Sequence, residues 1–76
     1  MKEDELKKYF DLYTCCWRFF KKYSNPVDDD RFWDSFVEEA GNIMEKFRKS
    51  ELAKKIVLAT IDKIEEIYKS RKGEQL

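Results

Sequence analysis

Apolar residues recur every three or four positions along nearly the whole chain, in three successive stretches. At about 100° per residue, this spacing places them on one face of an α-helix. The third stretch is out of phase with the second by about 140°, so the two cannot form one straight helix with one buried face. The pattern predicts an all-α protein with a single helical domain over residues 1–76. We expect a small up-down-up three-helix bundle with helices at about 3–23, 29–48 and 51–71.

The first stretch has the widest apolar face. It covers roughly half of the helical cylinder, whereas an ordinary surface helix needs a face only somewhat wider than about 100°. We expect Cys16, Trp17 and Phe20 to face the core, and Cys15 and Phe19 to lie at the edge of the face. The apolar residues of this stretch are Leu6, Tyr9, Phe10, Leu12, Tyr13, Cys16, Trp17, Phe19, Phe20 and Tyr23.

Local signals predict where the helices begin and end. The segment SNPVDDD interrupts the first helix, since the residue before a proline is pushed out of the helical region. Asp28 is suited to cap the second helix, and Val27 and Phe32 have the spacing of a hydrophobic staple across that cap. Ser50 is suited to cap the third helix, and Gly73 is a candidate for its end.

Gly41 lies beside the apolar face of the second helix, in its middle. A glycine there costs about 1 kcal/mol relative to alanine. We expect the close approach of another helix to explain it, rather than a functional kink.

The chain carries 16 basic and 16 acidic residues, so its formal net charge is zero. This balance gives no general attraction to nucleic acid or to an anionic membrane. No apolar run approaches the roughly 18 residues of a membrane span, and MKEDELKKYF is unlike a signal peptide. We therefore expect a cytoplasmic protein with reduced thiols. In a bundle, the acidic residues 3–5 would lie near the basic residues between 46 and 55.

The sequence contains no set of residues typical of catalysis, cofactor binding or metal binding. Cys15 and Cys16 are adjacent on a helix and point about 100° apart, so they cannot hold one metal ion together, and the chain has no histidine. The carboxylates at positions 30, 34 and 38 share a helix face but lack the loop of a calcium site. We expect no enzymatic activity, no cofactor, no metal site and no small-molecule substrate.

Apolar residues exceed what a thin bundle needs to cover its core. We expect Leu12, Cys15 and Phe19 at the edge of the first helix, with Leu58 and Ile61 on the third, to form a protein-interaction surface. The function that we infer is a non-enzymatic interaction module of unknown biological role, forming a homodimer through its aromatic-rich first helix. The next most favoured function is a docking site for a different protein.

The alternative is a nucleic-acid-associated regulator. Three helices with a short second turn can resemble a helix-turn-helix. Acidic residues on the third helix and the absence of a basic excess count against nucleic-acid binding. The basic cluster at the second turn comprises Lys46, Arg48, Lys49, Lys54 and Lys55.

The strings LYTCCWRFFKKY and NPVDDDRFWDSFVEEAG resemble short uncharacterised helical proteins encoded in Firmicutes-type bacterial genomes, often near mobile elements. The resemblance covers roughly positions 6 to 45 and rests on aromatic residues and a helix start. It implies a bacterial cytoplasmic protein and brings no activity to any residue.

Overall fold

A computed structural model describes residues 1–74 of the chain. It contains helices α1 (Glu3–Lys22), α2 (Asp30–Lys46) and α3 (Glu51–Glu74), and no strand within those residues. Every helix packs against the other two, which confirms the predicted all-α, three-helix protein. The molecule is elongated, measuring 51 × 20 × 17 Å along its principal axes. None of the three helices is long and apolar enough to cross a lipid bilayer, as far as the described residues go.

Side chains cap the second and third helices at their first turns. The Ser50 hydroxyl accepts a hydrogen bond from the backbone N–H of Ala53 at 3.1 Å, as the sequence predicted. The cap of α2 is Asp29, whose carboxylate accepts from the backbone N–H of Arg31 at 2.9 Å. The prediction of Asp28 was wrong by one residue, because only the Asp29 carboxylate reaches a free N–H of the first turn.

The predicted hydrophobic staple across the start of α2 is absent. Val27 is half exposed. Because Asp29 is the cap, Val27 is two residues before it and does not occupy the adjacent position that a staple requires. Phe32 packs instead against Tyr23, with ring centroids 5.2 Å apart. The aromatic cluster between the helices therefore fixes the entry into α2.

Neither glycine has the role that the sequence indicated. Gly41 is exposed in mid-helix, and a Cβ added to it would meet nothing within 4 Å. No neighbouring helix approaches it, so that prediction was wrong. Gly73 lies inside α3, which continues to Glu74, and no glycine in residues 1–74 has the positive φ of a helix-ending glycine.

The core runs along the middle of the three helices and is richest in aromatic rings where α1 meets α2. Phe19 stacks on Phe36 with centroids 5.2 Å apart, and Tyr23 meets Phe36 edge-on at 5.3 Å. The Tyr23 hydroxyl also shares a 2.7 Å hydrogen bond with the hydroxyl of Ser35. The buried apolar residues are Leu12, Cys16, Phe19, Tyr23, Phe36, Ala40, Ala53, Val57 and Ile64.

Helix α1 is rotated about its axis relative to the prediction. Leu12 and Phe19, expected at an exposed edge, are only 2% and 3% exposed, whereas Trp17, expected in the core, is 61% exposed. At about 100° per residue, the buried residues centre about 60° away from the middle of the wide apolar face. The contacts of Phe19 and Tyr23 with α2 explain this rotation, because they draw that side of α1 inward.

Candidate interaction surface

One row of large apolar side chains on α1 points away from the core. Leu6, Phe10, Tyr13 and Trp17 are 53%, 69%, 55% and 61% exposed, respectively. Their spacings of four, three and four residues place them on one side of the helix over three turns. We call these four residues the aromatic stripe.

The aromatic stripe is held in place by the helix and by its contact with the core. The Trp17 ring stacks on Phe20 with centroids 6.3 Å apart and planes inclined by 19°. Phe20 is half buried and packs against the core cluster. Tyr9, which is 40% exposed, lies at the same margin of the stripe. The stripe is thus continuous with the core and stands on a rigid element, which limits the entropy lost when it is covered.

The stripe is one continuous patch and not a set of scattered surface residues. At about 200 Å² for each side chain, the exposed parts of the four residues amount to about 400–500 Å². The largest apolar patch of a typical monomer measures about 300–600 Å² and is often functional. The area of the stripe lies within that range.

Charges are distributed unevenly along the same helix. Its first turn carries Glu3, Asp4 and Glu5, and its last turn carries Lys21 and Lys22. Negative charge at the first turn and positive charge at the last turn both interact favourably with the helix dipole. Lys22 pairs with Glu39 of α2, and this ion pair raises the pKa of the Lys22 ammonium above its ordinary value.

The structure does not gather the five predicted interaction residues into one surface. Leu12 and Phe19 lie in the core, which overturns their predicted role as contact residues. Ile61 is half buried and packs against the core, and Leu58 is 44% exposed on α3. Cys15 is half buried on the side of α1 that faces α2, where the Lys46 ammonium lies 3.7 Å from its sulfur.

The wide apolar face predicted for the first helix includes all four stripe residues, together with the residues that form the core. A signal was present. Positions 6, 10, 13 and 17 form one regular row, and positions 12, 16, 19 and 23 form a second. Two parallel rows on one helix indicate two apolar contacts, and the core can take only one of them.

The two cysteines lie in different surroundings, and the carboxylates are spread over the surface. Cys16 is buried, and burial, with a smaller effect of the neighbouring Cys15, raises the pKa of its thiol. Both cysteines are free thiols. Within residues 1–74, no three cysteine or carboxylate side chains converge in a way that could hold a metal ion.

The basic cluster lies at an open cleft of about 550 Å³ between the start of α1 and the turn from α2 to α3. Lys46, Arg48 and Lys49 line this cleft together with Lys8 of α1. Glu5 and Asp11 line it too, which cancels part of the positive charge. Lys54 and Lys55 are exposed on α3 and lie outside the cleft lining. The predicted proximity of residues 3–5 to the basic turn therefore holds for Glu5, although no ion pair joins them within the described part of the chain.

Comparisons with known proteins point to no relative. No protein-family model matches the chain, and neither curated proteins nor solved structures give a match. The functional interpretation therefore rests on the geometry of the residues themselves.

Proposed function

We propose that the protein is a small helical interaction module that self-associates through the aromatic stripe of α1 and acts by binding, without chemistry of its own. The observation that carries the proposal is the row formed by Leu6, Phe10, Tyr13 and Trp17, each more than half exposed on a rigid helix. A patch of this extent matches the largest apolar patch of a typical monomer, which is often functional, and contact with a protein partner is the function that a row on one helix fits best.

The size of the stripe also predicts the strength of the association. Two stripes that cover each other remove about 800–1,000 Å² from water, which is below the roughly 1,600 Å² of a standard interface. Interfaces of this size belong to weak and transient complexes. We expect a weak dimer with a dissociation constant of about 10–500 μM.

The proposal includes an up-down-up order of the three helices. Two observations support it. Glu5, near the start of α1, lines the same cleft as Lys49, which follows α2. Near the end of α3, the Arg71 guanidinium donates a 3.1 Å hydrogen bond to the side-chain oxygen of Asn25 in the loop between α1 and α2. This order leaves the aromatic stripe on an outer side of the bundle.

A reducing compartment such as the cytoplasm is also part of the proposal. Cys15 and Cys16 are adjacent on one helix, so they cannot pair with each other without distorting it. An oxidising environment would favour disulfides between copies through the half-buried Cys15.

Sedimentation velocity over a range of concentrations tests self-association. We expect the wild-type protein to shift from monomer to dimer as its concentration rises, and Trp17→Glu to remain monomeric because a buried unpaired carboxylate is costly. Val37→Glu is the matched control, since Val37 is 67% exposed on α2 and outside the stripe. It should dimerise like the wild type.

Two results would overturn the proposal. One is a wild-type protein that stays monomeric at about 1 mM, where even a weak interface of this size should be populated. The other is a Trp17→Glu variant that is folded, by circular dichroism, and associates as strongly as the wild type.

Nucleic-acid binding is the function that we favour less. The five basic residues of the cluster are exposed, as phosphate contacts require. Glu5 and Asp11 in the same cleft and the zero net charge of the chain argue against it, because they reduce the excess of positive charge on which phosphate binding depends.

A further inference from the structure

The row of stripe residues and the charges beside it also specify how two copies pair. We infer that the second copy packs its α1 antiparallel to the first, with the two-fold axis near residues 11 and 12. This inference rests on the proposed self-association, and it adds the orientation of the partner.

The positions of the stripe residues fit an antiparallel pair. The middle of the stripe falls between residues 11 and 12, with Phe10 and Tyr13 on either side and Leu6 and Trp17 further out. When two such helices run in opposite directions about that point, Leu6 of each copy lies opposite Trp17 of the other. Phe10 lies likewise opposite Tyr13. The largest side chain therefore meets the smallest, and the separation between the helices stays even along the contact.

The charges distinguish this arrangement from a parallel one. Glu3 and Lys21 are 18 residues apart, which is five helical turns, so they share one angular position beside the stripe, about 27 Å apart along the axis. In the antiparallel pair, Glu3 of each copy lies near Lys21 of the other, at both ends. In a parallel pair, Glu3 of the two copies would lie at the same level at one end of the contact, and Lys21 of the two copies at the same level at the other end.

Both charges are free to make such contacts. Glu3 and Lys21 are exposed, and neither forms an ion pair within the described residues. An exposed ion pair stabilises only weakly, so the charges contribute less to affinity than the apolar stripe does. The charges act mainly on the orientation of the two helices, because a parallel pair would bring like charges together at both ends. Two helix dipoles that point the same way also disfavour the parallel pair.

Disulfide cross-linking between single-cysteine sites tests the orientation. Two variants are made in a Cys15→Ser background, one with Glu3→Cys and one with Lys21→Cys. Cys16 stays in place, since it is buried. Each variant is oxidised alone and in an equal mixture, at a concentration where the wild type is dimeric, and the linked peptides are identified by mass spectrometry.

We expect rapid linkage in the mixture, between residue 3 of one copy and residue 21 of the other, and slow linkage in each variant alone. Adding Trp17→Glu to both variants should abolish the rapid linkage. Rapid linkage of each variant alone, with none between 3 and 21, means a parallel pair. It would overturn the antiparallel inference and leave the proposed function standing.

A dimeric wild type with no rapid linkage in any sample also overturns the inference, because residue 3 of one copy would then not lie near residue 21 of the other. A wild type that sediments as a monomer at every concentration overturns the proposed function itself. The two failures are therefore distinguishable.

Discussion

Two adjacent cysteines on α1 have different surroundings. Cys16 is buried in the core, and its raised pKa further lowers the fraction of reactive thiolate. Cys15 is half buried, in a shallow depression open to solvent. We expect a thiol reagent at about neutral pH to modify Cys15 first and to reach Cys16 only after unfolding.

Peptide mass spectrometry after timed alkylation measures this difference directly. The Cys15→Ser variant should be nearly unreactive while folded and fully reactive in denaturant. Equal modification rates for the two thiols in the folded protein would contradict the buried position of Cys16.

Gly41 is a position where the natural residue weakens its helix. It is exposed in the middle of α2, and a Cβ added to it would meet no neighbouring atom within 4 Å. Gly41→Ala should raise the free energy of unfolding by about 0.5–1 kcal/mol, because alanine loses less backbone entropy in a helix. Chemical denaturation checks the prediction.

The reverse change at an exposed site of α3, Ala59→Gly, is the matched control for Gly41. It should destabilise by a similar amount. A Gly41→Ala variant less stable than the wild type would contradict the open surroundings of Gly41.

At the scale of the helix, the start of α2 gives a sharp test between two neighbouring aspartates. Asp29 caps the helix, whereas the Asp28 side chain makes no cap hydrogen bond. Asp29→Ala should lower the free energy of unfolding by about 1 kcal/mol, and Asp28→Ala should change it by much less. Thermal or chemical denaturation of both variants decides, and the opposite order of effects would refute the assignment of the cap.

The sequence predicted the helices well and the rotation of α1 poorly, for a physical reason. Helix periodicity and caps are local, so the turn at Ser50 and the break after Tyr23 could be located from a few residues. The rotation of α1 depends on which part of a half-cylinder of apolar residues meets α2. Contacts between residues far apart in the sequence, such as Phe19 with Phe36, decide which part that is. The periodicity of one helix carries no information about those contacts.

At the scale of the molecule, the surplus of apolar surface follows from the shape. A bundle 51 Å long and about 20 Å across gives each helix only two neighbours. Two neighbours cover one row of side chains on α1, and the second row remains outside. A chain with two apolar rows on one helix therefore folds with one row exposed, and the self-association that we propose would bury the other.

The central claim is that the aromatic stripe is the surface through which two copies meet, and the two tryptophans allow a direct test. Trp17 belongs to the stripe, whereas Trp33 packs against Tyr68 of α3, with ring centroids 5.1 Å apart. The indole N–H signals of both can be followed by two-dimensional ¹H–¹⁵N NMR during dilution from about 1 mM to about 10 μM, a range that spans the expected dissociation.

We predict that the Trp17 signal shifts with concentration, together with the backbone signals around Phe10 and Tyr13, while the Trp33 signal stays in place. Signals that do not move with concentration would contradict the account. So would shifts confined to Val37 and Leu58, because they would place the contact on another side of the bundle.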